Sequence, residues 1–534
     1  MKSGPARKAL KSMEDIKKPK TALSMKKAAV LLSLLSGFRI GIGLFCSVLV
    51  AMAFGASIET DAYNIGTYLP MVLMCFFGLD LMRAILTSTF SKLDVDKKEE
   101  PSEVFSSVIT VLATISLVVI GIGVTFARFL VRIIAPGVTE ATVELAVNIT
   151  RIMMPAISLM MLGAIVSAVL LAYHEYAKSQ IFEILLKIVL TAAAIVCVFI
   201  PNIYILAFGF LVGELVATLV TLRLVFSLGL RYRPQIRFSP IVKDIVKQSI
   251  PVWIGVMAVY AATTVQRRYA STFKAGSIAS LTYAETIFSA VATMVSVPLF
   301  QALSPRVARN VALGEYDEEA RAFWSCFKQG SCIAVVLTAI IWLYPREIVS
   351  VVFKRGAFDL QAVDISSSLF TWIGVGVWGN IMSYQAIAIL FAHNKSHFSM
   401  LISIISSAAL CLVIVLAIDY CGIKAIGMGY GVSQTLRGLI GLWMVSYLLG
   451  YRFCNTGWWL IRFAATSLVA VAAIGGYSLL RPSGTADLWT DFVGLIGAFA
   501  VVTGGFIVAG YLFRLEQVVW FVNWAKSFLW GKTC

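Results

Sequence analysis

Three arginines stand inside long apolar runs with no carboxylate near them in the chain: Arg39, Arg267 and Arg268. A guanidinium stays charged at any ordinary pH, and its planar fork matches the paired oxygens of a phosphate. Charge is expensive in apolar surroundings, so each marks either a wet cavity or a structural ion pair. Set in a cavity wall, they would make a cationic site for an anionic, phosphorylated ligand. Other ionisable residues have nearer company. Glu183 and Lys187 are four apart, which puts them on one helix face as a mutually neutralising pair. Asp80 and Arg83, three apart, read the same way. Arg151 stands near the end of its run, where it reads as an interface anchor, and Glu214, Glu285 and Arg437 stand alone.

Enzymatic chemistry has little to rest on. His174, His393 and His397 fall in short polar turns, whereas a general acid or base needs buried polar partners at a reaction centre. No P-loop, no Gly-x-Ser-x-Gly and no metal-spaced ligand set occurs, which argues against ATP-driven transport, hydrolysis and a bound metal. The nine cysteines are scattered without a Cys-x-x-Cys pair. Neither an enzyme nor a cofactor is expected.

The elements that must position these charges follow from composition. Of 534 residues, 59% are hydrophobic and 13% charged, against about 25% charged in a soluble domain. Many runs reach the ~20 apolar residues that span a bilayer. The fold class is therefore an all-α polytopic membrane protein, with about fourteen transmembrane helices. The second, fourth and tenth spans are expected at 64–90, 144–173 and 364–392.

The net charge of +16 is concentrated before the first run and around Arg223–Lys247. The enrichment of Lys and Arg in cytoplasmic loops explains both clusters, so no nucleic-acid partner is expected. Membrane lipids are, since a basic tail attracts anionic headgroups. The same bias places both termini in the cytoplasm. Exceptions are Ala127–Glu140 and Pro345–Asp359, which alternate apolar and charged residues as interfacial helices do.

The chain also repeats itself. Phe54-Gly-Ala-Ser-Ile-Glu-Thr-Asp-Ala-Tyr63 returns as Phe273-Lys-Ala-Gly-Ser-Ile-Ala-Ser-Leu-Thr-Tyr283. Ala168, Leu170 and Ala172 recur as Ala388, Leu390 and Ala392, and Ile203, Gly209 and Phe210 as Ile423, Gly429 and Tyr430. A shared offset of about 220 residues suits a duplicated half-protein. The expected organisation is a basic cytoplasmic tail (1–27), a six-span lobe (28–227), a cytoplasmic linker (228–245) and a second, pseudo-symmetric six-span lobe (246–449). Two C-terminal helices and a cytoplasmic end (450–534) follow.

The first of those repeated stretches, followed by Leu69-Pro70, resembles the second-span entry of the MurJ/MviN family. These are lipid II flippases of the multidrug/oligosaccharidyl-lipid/polysaccharide (MOP) exporter superfamily. Gly276-Ser-Ile-Ala-Ser-Leu-Thr-Tyr-Ala-Glu285 resembles the family's eighth-span motif, G-S-[VI]-S-x-L-x-Y-A-[DE]-R. Ala135-Pro-Gly137 with Arg151 and Pro155, Ser304-Pro305-Arg306 and Gly356-Ala-Phe358 fit it in order, over roughly residues 28–450. Departures fall on the family's arginines. Arg39 lies one place from the first of the first-span pattern, S-R-x-x-G-x-x-R-D, and Cys46 and Ser47 replace the closing pair. Met74 and Cys75 replace the arginine pair after L-P-N, and Thr286 the arginine closing the eighth-span motif.

The resemblance implies a flippase of the bacterial cytoplasmic (inner) membrane that moves a polyprenyl-diphosphate-linked saccharide, foremost lipid II, through a basic cavity between rocking lobes. Arg39, Arg267 and Arg268 are then the candidates for the diphosphate. Asp61, which matches the family's aspartate, and Glu285 are candidates for gating, although Asp61 fits a helix N-cap equally well. A monovalent ion or the membrane potential would couple transport to energy. Two rivals stay open. One is a flippase for another lipid-linked glycan, such as an O-antigen or capsule unit. The other is a cation-coupled exporter, for which Asp80, Glu214 and Glu285 would serve.

Overall fold

A computed structural model of the chain describes residues 25–75, 86–87, 90, 101–173, 175–233, 240–393, 395–450, 457–480 and 488–529. The basic tail up to residue 24, Asp80, Arg83, His174 and the middle of the linker (234–239) lie outside them.

The described residues form helices joined by short turns, with no strand among them. The first half runs α1 (Met25–Phe54), α2 (Ile58–Cys75), α3 (Pro101–Thr125), α4 (Ala127–Ile134), α5 (Glu140–Met153), α6 (Ala156–Ala172), α7 (Ile181–Phe199) and α8 (Ile203–Ser227). The second half repeats that succession of long, short and broken helices. It runs α9 (Pro240–Ala270), α10 (Ser277–Leu313), α11 (Tyr316–Leu343), α12 (Pro345–Phe353), α13 (Leu360–Gly374), α14 (Val377–Ala392), α15 (Ser396–Cys421) and α16 (Lys424–Leu449). After them come α17 (Gly457–Leu480), α18 (Leu488–Leu512) and α19 (Glu516–Leu529).

Packing repeats as well as order. In the first half α7 lies on α8 and α1, α2 on α5, and α6 on α8; in the second α15 lies on α16 and α9, α10 on α13, and α14 on α16. The halves meet where α10 touches α1 and α2, where α9 touches α2 and α4, and where α12 touches α1. Helices α17 and α18 pack on the outside of α11 and α12.

Two expected spans are broken. Helix α5 bends into α6 by 43°, and α13 into α14 by 46°. At the first break Pro155 has no N–H to continue the ladder. At the second, Gly376 lets the chain approach α16 so closely that a Cβ would stand 2.7 Å from Gln434 Cβ. The expected interfacial segments form short amphipathic helices. In α4, Ala127, Val131 and Ile134 are buried while Arg128 and Arg132 are exposed and both bind Glu140. In α12, Val349 and Phe353 are buried and Arg346 pairs with Asp364 at 3.1 Å.

Among the described residues nine helices are long and apolar enough to cross a membrane, eleven if each bent pair is one span. The expected fourteen would need α2, α9 and α16 as well. These carry more polar residues, and each packs on other helices: α2 and α9 against one another, α16 against α13, α14 and α15. A span facing protein tolerates polarity that a span facing lipid does not. Helix α10 runs on for 37 residues, about 55 Å at 1.5 Å per residue. It therefore outruns a hydrocarbon core of about 30 Å, with Arg306 and Arg309 exposed near its C-terminal end.

Candidate functional site

Short turns bring the two halves together at one end of the bundle. Between α1 and α2 only three residues intervene, and Gly55 takes a left-handed φ of +62°. Gly276, at +85°, opens α10, and Gly356, at +58°, lies between α12 and α13. Left-handed backbone is where glycine is least strained, and here the missing side chains also admit the opposite half. Ala357 N–H donates to Met52 O at 2.9 Å. Gly137 N–H donates to Ser271 Oγ at 3.1 Å, and Tyr283 Oη to Gly55 O at 3.1 Å.

Asp61 is the charged member of this seal. Its Oδ2 accepts from Gly276 N–H at 2.6 Å and its Oδ1 from Ala279 N–H at 2.7 Å. The carboxylate is 3% exposed. It is an N-cap, as one reading of the sequence had it, but for α10 in the other half rather than for its own helix. Orphan N–H groups and the positive end of the helix dipole both favour a negative charge there. At the start of α2 the local polar partners are Ser57 and Thr60, whose Oγ1 accepts from Ser57 N–H at 2.8 Å.

Deeper along α2, about 15 Å at 1.5 Å per residue, lies a second contact between halves. Tyr68 Oη is 2.8 Å from Tyr260 O, 2.6 Å from Thr263 Oγ1 and 3.1 Å from Thr264 Oγ1. Arg267 lays its guanidinium 4.0 Å above the Tyr68 ring and sets Nη2 3.8 Å from Glu285 Oε2. Around them buried polar atoms lack hydrogen-bond partners: both amide atoms of Gln266, Arg267 Nε and Glu285 Oε1. Two residues singled out from the sequence, Arg267 and Glu285, thus meet in space. Arg268 is exposed and forms no ion pair among the described residues.

Between the seal and the first half's charge cluster is a cavity of about 110 Å³, lined by α1, α2 and α7 on one side and α10 on the other. Its walls include Cys46, Ser47, Asn64, Thr282 and Thr286. Three of these, Cys46, Ser47 and Thr286, occupy places where the resembled family carries charge. The cationic residue in the wall is Lys187. Its stem lies against α1 at Gly43, where even a Cβ would make only an ordinary contact, 3.8 Å from Lys187 Cε.

Arg39 is not an unpartnered cation. Its Nη1 binds Glu183 Oε2 across 144 residues of chain, with both side chains part-buried. The pairing of Glu183 with Lys187 inferred from spacing therefore gives way to one with Arg39, and Lys187 reaches the cavity. Sequence reasoning passed over Lys187 because an acid one turn away looked sufficient. Below Lys187, Glu214 of α8 is fully buried with neither carboxylate oxygen hydrogen-bonded.

A family model described as "Lipid II flippase MurJ" matches residues 50–497. A "Probable lipid II flippase MurJ" of Rhizobium tropici is 24% identical over 492 residues, covering 89% of each chain. A "Lipid II flippase MurJ" of Burkholderia cenocepacia is 24% identical over 357 residues, 64% of this chain and 68% of that one. Among solved structures, a lipid II flippase MurJ in an inward closed conformation superposes with a TM-score of 0.77 at 17% identity. That superposition covers 92% of this chain and all of the other. An inward-facing multidrug resistance MATE transporter of the MOP superfamily gives 0.64 at 13% identity, covering 79% and 98%.

Proposed function

The chain belongs to the MurJ family of lipid II flippases, and from that membership we propose that it carries lipid II from the cytoplasmic to the outer leaflet. The observation that carries the reading is the cavity between the two halves, closed at one end by contacts from both, with a cation and several hydroxyl and amide side chains in its wall. A diphosphate headgroup enters such a space while its polyprenyl tail stays among the lipid chains. Rocking of the halves then breaks one set of contacts and makes another, as in duplicated transporters generally.

With the N-terminus in the cytoplasm, the sealed end faces outward. Asp61 is then an outer gate: opening means lifting the α10 N-terminus off its carboxylate. Glu285 and Arg267 gate at greater depth, and Arg267, on leaving Glu285, is a second contact for the headgroup. Arg39 acts through Glu183, holding α1 on α7. Arg268 is available to lipid phosphate at the membrane surface. An inside-negative potential drives the anionic headgroup outward by about 2.3 kcal/mol per charge per 100 mV.

The test is complementation of a strain depleted of its own lipid II flippase, together with flipping of lipid II in proteoliposomes. Growth and flipping are expected, and absence of both refutes the reading. One observation favours a second substrate. With Cys46, Ser47 and Thr286 in the cavity wall, the headgroup site is less basic than in the resembled family, which suits another lipid-linked glycan. Such a substrate would flip in vesicles where lipid II does not.

A further inference from the structure

The chain that leaves α8 is strapped to another helix. Residues 231–233 lie along the start of α3, held by three hydroxyl groups spaced one turn apart, those of Ser102, Ser106 and Thr110. Ser102 Oγ accepts from Arg231 N–H at 3.2 Å, and Ser106 Oγ accepts from Arg233 N–H at 2.9 Å. The single proton of Ser106 Oγ is shared between the carbonyls of Arg231, at 3.2 Å, and Ser102, at 2.7 Å. Thr110 Oγ1 donates to Ser106 O at 2.7 Å, so Tyr232 Oη, 3.1 Å away, is the donor in their contact. Leu230 and Ser106 are buried.

The N–H and C=O of Arg231 and the N–H of Arg233 thus all point at α3. That is the arrangement of an extended chain, whose side chains alternate between its two faces. Arg231 and Arg233 therefore leave the strap on one face, about 7 Å apart at ~3.3 Å per residue, with Tyr232 between them on the other. Both arginines are exposed, as is Arg223 one turn before the end of α8, and none of the three forms an ion pair among the described residues. The one acid on α3 is Glu103. Helix α3 packs most closely on α6, away from the α1, α7 and α10 walls of the cavity.

We infer that this strap is a binding site for acidic phospholipids, with Arg231 and Arg233 holding headgroup phosphate in the cytoplasmic leaflet. Its place fits that partner. Helices α3 and α8 are both long and apolar enough to span a membrane, and the strap joins the end of one, at Ser227, to the start of the other, at Ser102. It therefore sits at headgroup level, on the side that the orientation above makes cytoplasmic, and that leaflet carries the acidic lipids. Arginine forks match phosphate oxygens. The hydroxyl anchors fix the pair on one face before a lipid arrives, which lowers the ordering cost of binding. Half-exposed Tyr232 suits the same level, where aromatic rings gather. Lying on a flank away from the cavity, the strap serves resident lipid rather than cargo in transit.

Native mass spectrometry of the full-length protein tests this, with phosphatidylglycerol and phosphatidylcholine as probes. Wild type should bind the first phosphatidylglycerol about tenfold or more tightly than phosphatidylcholine. Arg231→Gln and Arg233→Gln should each weaken phosphatidylglycerol binding by about fivefold, the scale of one basic side chain near an acidic leaflet, and leave phosphatidylcholine unchanged. Ser106→Ala keeps both arginines but frees the chain, and should weaken it several-fold. Thr110→Val, which removes the acceptor of the Tyr232 hydroxyl, gives the same reading in smaller measure should Ser106→Ala not fold. Arg306→Gln with Arg309→Gln removes two exposed arginines from the end of α10 and should change nothing.

Equal affinity for the two lipids, or phosphatidylglycerol binding indifferent to Arg231→Gln and Arg233→Gln, overturns the inference. So does an equal loss in the α10 variant, which would reduce the effect to net charge, or no loss on freeing the strap. Farnesyl diphosphate that displaces phosphatidylglycerol from these arginines at lower concentration would hand the face to the substrate, and overturns it too. Only the orientation is taken from the flippase reading. A wild type that fails to flip lipid II yet binds phosphatidylglycerol through this pair leaves the lipid site standing.

Discussion

A Cβ on Gly356 would stand 2.2 Å from the carbonyl oxygen of Met52, in the opposite half of the molecule. Gly137 stands in the same relation to Ser271, with its would-be Cβ 2.4 Å from that carbonyl oxygen. The two glycines are 219 positions apart, and so are the two residues they meet. The seal is thus one contact made twice, each half lending a glycine loop to the end of the other half's first helix. Backbone against backbone leaves no side chain to rotate away, so closure there is steric and sharp.

Gly137 is the place to test that. Its φ is not left-handed, so alanine adds no backbone strain in itself, but its Cβ would strike the backbone of Ser271 and Thr272 in the sealed state. Gly137→Ala should therefore favour the open outer end. A cysteine placed at Ala56 should react several-fold faster with a membrane-impermeant maleimide in this background. Equal rates would show that the contact does not restrain opening.

Asp61 adds an electrostatic part to the same seal. Loss of an N-cap carboxylate costs about 0.5–2 kcal/mol. Since the capped helix belongs to the other half, that cost falls on the closed arrangement rather than on α2. Asp61→Ala should shift the balance towards the open outer end by roughly twofold to thirtyfold, and Asp61→Asn, which keeps one acceptor, by less. Spin labels on α1 and α10 would report the distance. A melting temperature lowered with no change in that distance would make Asp61 a structural cap only.

The duplication was legible because it is written in turns. The Phe54–Tyr63 stretch and its echo mark the α1–α2 and α9–α10 connections, where glycine and polar residues leave few substitutes. The bends at Met154–Pro155 and Val375–Gly376 were not, since an apolar run reads as continuous whether or not its axis breaks. Arg267 and Glu285 could be named singly, but nothing in their spacing said that Tyr68 would join them. Lys187 was misjudged for the opposite reason. A neighbour at helical spacing was taken as its partner, and the competing guanidinium lay 144 residues away.

Tyr68 separates two ways of holding the halves at depth. Its hydroxyl bonds α9, and its ring carries the Arg267 guanidinium. Tyr68→Phe removes the hydroxyl alone, while Tyr68→Leu also removes the ring face, worth about 0.5–2 kcal/mol in such a contact. If the ring matters, Tyr68→Leu should lower the melting temperature further than Tyr68→Phe, and that extra loss should vanish in an Arg267→Gln background. Additive losses would mean that Arg267 is held by Glu285 without help from the ring.

Arg39 and Glu183 predict a rescue. Removing one member of a part-buried ion pair leaves the other charged in a span, whereas apolar replacement of both is tolerated far better. Arg39→Met and Glu183→Met should each reduce folded yield and melting temperature, and the double variant should recover most of both. Flipping by the double variant is the informative measurement. Retained transport would assign Arg39 to the architecture of α1 and α7, whereas transport lost in a well-folded double variant would return it to the path of the substrate.

The membrane potential supplies the last test, because its size is calculable. Each elementary charge gains about 2.3 kcal/mol per 100 mV, which at about 1.4 kcal/mol per tenfold is roughly fiftyfold in the ratio between leaflets. In proteoliposomes with a potassium gradient and valinomycin, an inside-negative potential of about 100 mV should drive a diphosphate lipid to the outer leaflet by up to about that factor per charge carried. Collapse of the potential should relax the ratio towards unity without abolishing exchange. A ratio indifferent to potential but responsive to a sodium gradient would mean that an ion, not the charge of the cargo, sets the direction.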